Sequence, residues 1–299
     1  MTAAGPLITA AELADLEAAV GRAFAGGDDR HLRVLGYGEI SSVLAWDTAR
    51  GPVAVKRLPP FPDRPRFDAY AATVADYLAA LAAGGVTPVT TELASAAAPG
   101  GAVVAYLVQP ILPAATLGPR RLAVAGGDEV ERVLAGIVER VVGVVDGRRG
   151  LDAQLSNWAI DGERLAYLDV STPMLRDDGG GERLDGEVFL ASLPWALRPV
   201  VSRFLLRDIL AKYYDPRGVV LDLLGNLHKE RLARHLPVGL AVAARHVRPA
   251  ITAAEVDRYY RADARSWALL QRLRRLDRAW QLRVRRRPYP FLLPGPIAR

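Results

Sequence analysis

The sequence predicts an α+β fold: a strand-rich first part, a mainly helical second part, and a cleft between them. Three observations carry this. Short apolar runs separated by Gly and Pro fill residues 32–109, as strands joined by tight turns would. After Pro110 and Pro113 the apolar residues recur at helical spacing. Of the 299 residues, 51% are hydrophobic, enough to bury a core of that size.

Thr9-Ala10-Ala11-Glu12 has the capping-box pattern, in which hydroxyl and carboxylate each satisfy a free backbone amide. Leu13, Leu16, Val20 and Phe24 follow on one helical face, so a helix is predicted over 10–24, ended by Gly26-Gly27. Residues 32–35, 43–46 and 53–58 read as strands, punctuated by Gly36/Gly38 and Arg50-Gly51-Pro52. A proline-rich stretch, 59–65, precedes a helix over 67–83. Two further strands are expected at 87–93 and 103–109. Pro110 and Pro113 then mark a boundary between a part spanning 1–110 and one spanning 111–299.

Asp128 is the expected cap of a helix reaching residue 145, with Val130, Val133, Leu134, Ile137, Val141 and Val144 on its apolar side. A Gly- and Arg-rich loop covers 146–157. Strands at 158–160 and 165–168 flank the turn Asp161-Gly162-Glu163-Arg164, a small hairpin. Beyond residue 184 the pattern is helices joined by Pro/Gly turns.

Composition narrows the chemistry. With no cysteine the chain has no disulfide framework and no thiolate metal site, which fits a reducing cytoplasm. No secretory signal pattern opens it, and no run of roughly 18 clean apolar residues predicts a transmembrane helix. Cytoplasmic placement is the expectation. Abundant Ala, Arg, Gly and Val reads as the coding bias of a GC-rich bacterial genome, which also contributes to the net charge of +6. His31, His228, His235 and His246 are scattered, with no i, i+4 pair to ligate a metal.

Four segments carry chemistry. Gly36-Tyr37-Gly38-Glu39-Ile40-Ser41-Ser42-Val43 joins two strands, and its glycines let backbone amides approach phosphates. Lys56 ends the β-branched strand Val53-Ala54-Val55, on the same face as Ala54, where an ammonium needs an anionic partner. Asp152 and Asn157 lie five apart between a long apolar helix and a hairpin strand; the carboxylate could take a proton from a hydroxyl, and the amide could offer a neutral oxygen to a metal. Asp169 ends the apolar strand Leu165-Ala166-Tyr167-Leu168, where a carboxylate needs a cation or hydrogen-bond donors. Each has a plainer reading too: a strand turn, a solvated lysine, an Asx loop, a turn cap.

Taken in order, the four resemble the protein-kinase-like superfamily, especially its atypical branch of small-molecule phosphotransferases and RIO-type kinases. Residues 36–43 resemble the glycine-rich loop, with Ser41 at the third glycine. Val53-Ala54-Val55-Lys56 is similar to the strand that carries the phosphate-binding lysine. Asp152 and Asn157 match the catalytic-loop spacing, and Asp169 falls where the second metal ligand would. The resemblance covers residues 32–172. It implies a two-lobe fold that binds ATP and Mg2+, with nucleotide contacts from Gly36, Gly38, Ser41, Val43, Ala54, Lys56 and Gln109. It further implies metal ligation by Asn157 and Asp169, and catalytic roles for Asp152 and Lys56.

The sequence also departs from the family pattern. Gly150-Leu151 precedes Asp152, Gln154 replaces a lysine common in kinases, and Val170-Ser171 follows Asp169. The carboxylate partner expected for Lys56 is Asp76 on the following helix or Glu92 on the next strand. Toward the C-terminus Leu269, Leu273, Leu276, Trp280 and Val284 form an apolar stripe among arginines. It reads as a helix packed on the body with a solvated basic face, or as an anion-binding face. The functional expectation is phosphoryl transfer to the hydroxyl of an unidentified acceptor, anionic rather than cationic given the arginine content. A nucleotide-binding pseudokinase acting through protein partners and a basic nucleic-acid or membrane-surface module are the alternatives.

Overall fold

The computed structural model describes residues 5–26, 30–37, 41–186, 190 and 210–286. It is a mixed α+β structure, rich in sheet toward the N-terminus and mainly helical toward the C-terminus.

Helix α1 (Ala10–Gly26) opens with the capping box: Thr9 N donates to Glu12 Oε2 at 2.7 Å and Glu12 N to Thr9 Oγ1 at 3.3 Å. An antiparallel five-stranded sheet follows, built from β1 (Arg33–Tyr37), β2 (Ser42–Thr48), β3 (Gly51–Arg57), β5 (Glu92–Ala97) and β6 (Val103–Pro110). Its order is β1-β2-β3-β6-β5. Helix α2 (Arg64–Ala83) connects β3 to the later strands, with Asp63 Oδ1 accepting from Arg66 N at 2.8 Å as its N-cap.

Strand β6 is buried on both faces, and its period of two separates the cores. Val104, Tyr106 and Val108 join Val53 and Val55 against Leu13, Leu16 and Val20 of α1. Val103, Ala105 and Leu107 point the other way, toward Phe67, Tyr70 and Tyr77 of α2. That second cluster runs on past residue 110 into the helical part, so one core spans the boundary expected there.

The helical part holds α3 (Gly118–Val124), α4 (Gly127–Val144), α5 (Pro216–Lys229), α6 (Leu236–His246) and α7 (Ala253–Arg283). The buried positions of α4 recur three and four apart: Val130, Val133, Leu134, Ile137, Val138, Val141 and Val144. A second, three-stranded sheet, β4-β8-β7, comprises β4 (Thr87–Pro88), β7 (Trp158–Asp161) and β8 (Arg164–Tyr167).

Two expectations are corrected. The single strand over 87–93 is two strands in different sheets, because Pro88 has no amide and Val89 N turns to bond Tyr167 O at 2.8 Å. The cap of α4 is Gly126, and Asp128 lies in its first turn, where a carboxylate meets the positive end of the helix dipole. Helix α3 follows Pro113, with Pro119 in its first turn, where the missing amide costs no hydrogen bond. Among the described residues no helix is long and apolar enough to cross a membrane.

Candidate functional site

Sheet register places the first group. Val43 pairs with Lys56, and Ala54 lies between Ala45 and Gln109 on neighbouring strands. Val53 and Val55 point into the α1 core, so Ala54 and Lys56 occupy the opposite face. From there Lys56 Nζ reaches both oxygens of Asp169, at 2.8 Å each, across 113 residues of sequence.

Asp169 is held from several sides. Ser171 N and Ser171 Oγ donate to its Oδ1 at 3.1 and 2.7 Å. Burial pushes its pKa up, but the Lys56 ammonium and the Ser171 donors outweigh burial and hold it below the usual carboxylate range. The small sheet fixes its position: Leu168 N donates to Asn157 O at 2.8 Å, extending the β7–β8 ladder to the residue before Asp169. The Gln109 amide donates to Thr91 Oγ1 at 2.9 Å and Leu168 O at 2.8 Å, tying the end of β6 to the same segment.

The loop ahead of β7 alternates. Leu151, Ala153 and Leu155 are buried, while Asp152, Gln154 and Asn157 are partly exposed. Phenols anchor its backbone. Tyr77 donates to Gly150 O at 3.1 Å and Tyr167 to Asp152 O at 3.1 Å, while Tyr70 donates to Ser171 O at 2.9 Å beyond Asp169. Burial first, and then the nearby Asp152 and Asp169 carboxylates, raise the Tyr77 pKa well above the ordinary phenol value, so it stays a neutral donor. Asn157 Nδ2 donates to Asp152 O at 3.0 Å, which commits the amino end of that amide and turns its oxygen the other way.

Two residues past Asp152, Gln154 enters a polar network on α5. Its Nε2 donates to Asp222 Oδ2 at 3.1 Å, and its Oε1 accepts from Lys229 Nζ at 3.0 Å and Asn226 Nδ2 at 3.3 Å. Asp222 also accepts from Lys212 at 3.0 Å and from the Tyr259 hydroxyl. Burial opposes the Lys212 charge, but Asp222 and Tyr259 more than compensate and raise its pKa. Gln154, Asp222, Asn226, Lys229, Tyr259, Tyr260 and Asp263 line a small, open polar cleft.

Residues 15–278 match a family described as a family of unknown function, DUF6206. The chain belongs to that family. No curated protein matches it. The DUF6206 match takes in every residue of the site, from Gly36 to Asp263.

Of the residues singled out by sequence in this DUF6206 chain, Lys56 and Asp169 are in contact, and Asp152 and Asn157 are joined through one hydrogen bond. Ser41 is buried, and its hydroxyl has no hydrogen-bond partner among the described residues. Gly36 pairs with Val43 beside a β-bulge. Gly38 lies outside the described residues. The two partner candidates for Lys56 are engaged elsewhere: Asp76 with Arg183 at 2.6 Å, and Glu92 with Leu7 N at 2.6 Å. Asp76 lies beside Arg183, whereas Asp169 lies within 2.8 Å of the Lys56 ammonium. Sequence reading missed Tyr70, Tyr77, Tyr167, Asp222, Asn226 and Lys229. The spacing of Tyr70 and Tyr77 puts them on one face of α2, but nothing local tells which backbone they will meet.

Proposed function

We propose that this chain is a protein-kinase-like phosphotransferase, with an N-terminal and a C-terminal lobe that take ATP and magnesium between them. The observation that carries this reading is the Lys56–Asp169 pair. It joins the two segments, 113 residues apart, that phosphoryl transfer needs side by side. Lys56 would hold nucleotide phosphates. Asn157 and Asp169 would hold magnesium, which when bound neutralises phosphate charge. Asp152 would orient or deprotonate the acceptor hydroxyl. Ser41, whose buried hydroxyl has no partner among the described residues, and Gly36 would meet the phosphates, and Val43 and Ala54 would face the base.

The donor set fits magnesium. Asp169 is ionised at neutral pH, the Asn157 amide is oriented with its oxygen uncommitted to Asp152, and magnesium commonly takes one or two carboxylates together with substrate phosphates. The acceptor would enter by the cleft beside Gln154. Its lining holds one lysine, Lys229, and two aspartates, Asp222 and Asp263, amid amides and tyrosines, and Lys212 pairs with Asp222 at 3.0 Å. That balance favours a neutral hydroxyl compound over the anionic one suggested by arginine content.

The test is thermal unfolding with Mg·ATP. At about 100 times its dissociation constant a ligand adds roughly 2.7 kcal/mol to the native state. The wild type should shift upward by several degrees, and Asp169→Asn should lose the magnesium-dependent part. Asp152→Ala should keep the shift and lose phosphoryl transfer. A wild type that shows no shift at saturating nucleotide would overturn the reading. A normal shift with no transfer to any extract component would point to the pseudokinase instead.

A further inference from the structure

The second half of α7 is built inside out. Leu269, Leu276, Trp280 and Val284 are 58%, 67%, 47% and 57% exposed, whereas the buried positions of the same stretch are Gln271, Arg274 and Asp277. At 100° per residue Leu269, Leu276 and Trp280 fall within about 40° of one another, and Leu273 and Val284 widen the stripe to about 80°. A water-facing helix places its apolar stripe inward; one that keeps it outward presents it to something else. Of the two readings the sequence allows, a stripe packed on the body is corrected by these exposures.

Charge decides what the stripe fits. Over residues 264–286 there are eight arginines and one aspartate. Arg265, Arg272 and Arg283 lie along one edge of the stripe and Arg275 beyond them, all exposed, and exposed Arg286 follows the helix end. An apolar strip with a tryptophan, bordered by long cationic side chains, suits the boundary between acyl chains and headgroups. There Leu and Trp enter the apolar layer and arginines reach the phosphates. Duplex nucleic acid would use the arginines but leave the leucines in water.

We propose that the outer face of α7 from Arg265 to its cap at Val284 is a docking surface for an anionic lipid bilayer, holding the protein at a membrane surface without crossing it. This stands apart from the phosphotransferase reading.

Co-sedimentation of the full chain with vesicles tests it. The chain should sediment with phosphatidylcholine vesicles carrying about 30% phosphatidylglycerol, not with phosphatidylcholine alone, and less so as salt rises. Leu276→Ser with Trp280→Ser should weaken binding by about tenfold or more while leaving the thermal midpoint unchanged, because both side chains are exposed. Arg272→Gln with Arg283→Gln should do the same. A blue shift of tryptophan emission on binding should disappear in Trp280→Phe. Failure to sediment with anionic vesicles at low salt overturns the proposal. So does binding that survives the Leu276/Trp280 change, or tighter binding to duplex DNA that ignores it. A dimer dissociated by that change, without vesicle binding, would make the occupant a second copy and overturn it as well.

Discussion

Removing the Lys56 ammonium leaves the Asp169 carboxylate, among the described residues, with its Ser171 donors. Side-chain exposures of 15% and 30% place this pair between a surface ion pair and a buried one. Lys56→Met should therefore cost about 2 kcal/mol, between the small worth of exposed pairs and the larger penalty of an orphaned buried charge. The pH dependence gives the sign. In the wild type the folded pKa of Asp169 is depressed, so its stabilisation is present above the unfolded value and lost as pH falls through the folded one. In Lys56→Met burial is left less opposed and the folded pKa rises, so the variant's deficit should shrink between about pH 7 and about pH 4. Urea unfolding at both pH values reads this, and an unchanged deficit would argue against the assigned electrostatics. Tyr77→Phe makes a separate prediction. It strands the Gly150 carbonyl without its phenol donor, and should cost about 1 kcal/mol or more in the same assay.

At the scale of elements, α3 and α5 hold the Asp152 loop from two directions. A Cβ built on Gly118 would meet Leu155 O at 2.3 Å, so the N-terminus of α3 lies directly on the loop backbone. Gly118→Ala should push that backbone away, cost about 1–3 kcal/mol as an overpacking change, and lower any activity that depends on Asp152. On the other side Asn226 Oδ1 accepts from Leu155 N at 3.0 Å, and Gln154 is clamped to Asp222 and Lys229. Denaturant midpoints for Gly118→Ala and for a glycine in an open position, Gly127, should separate loop displacement from loss of backbone freedom. Gly127→Ala has nothing within 4 Å and should be near neutral or stabilising.

For the molecule as a whole, the site is assembled from pieces with too few ligands to act alone. Among the described residues no group of three or more His, Cys, Asp or Glu could hold a metal. One carboxylate and one amide bind magnesium weakly without phosphates. Magnesium alone should therefore leave the thermal midpoint nearly unchanged, and magnesium with ATP should raise it. A strong shift from magnesium alone would place the metal elsewhere. The continuous core beneath the site gives these pieces a common base, since Tyr70 and Tyr77 of α2 pack in the same cluster as Leu151, Leu155 and Val170.

Much of this was legible from residues close in sequence. The capping box, the hairpin of β7 and β8, the strand carrying Lys56 and the periodicity of α4 each rest on contacts within a few positions, so local pattern suffices. The four segments of the proposed site are local patterns too, and it is the fold that brings Lys56 to Asp169. The alternation of Leu151, Ala153 and Leu155 with Asp152 and Gln154 was there to be read as well. What tertiary structure alone decided lies between distant segments. Asp169 rather than Asp76 or Glu92 meets Lys56, because the folded distance and the competing Arg183 and Leu7 amide settle the pairing. The split of residues 87–97 between two sheets depends on Tyr167, and the phenol anchors depend on where α2 crosses the loop. The apolar stripe of α7 is visible in sequence, but whether it faces core or solvent depends on how the helix is docked, which a periodic pattern does not encode.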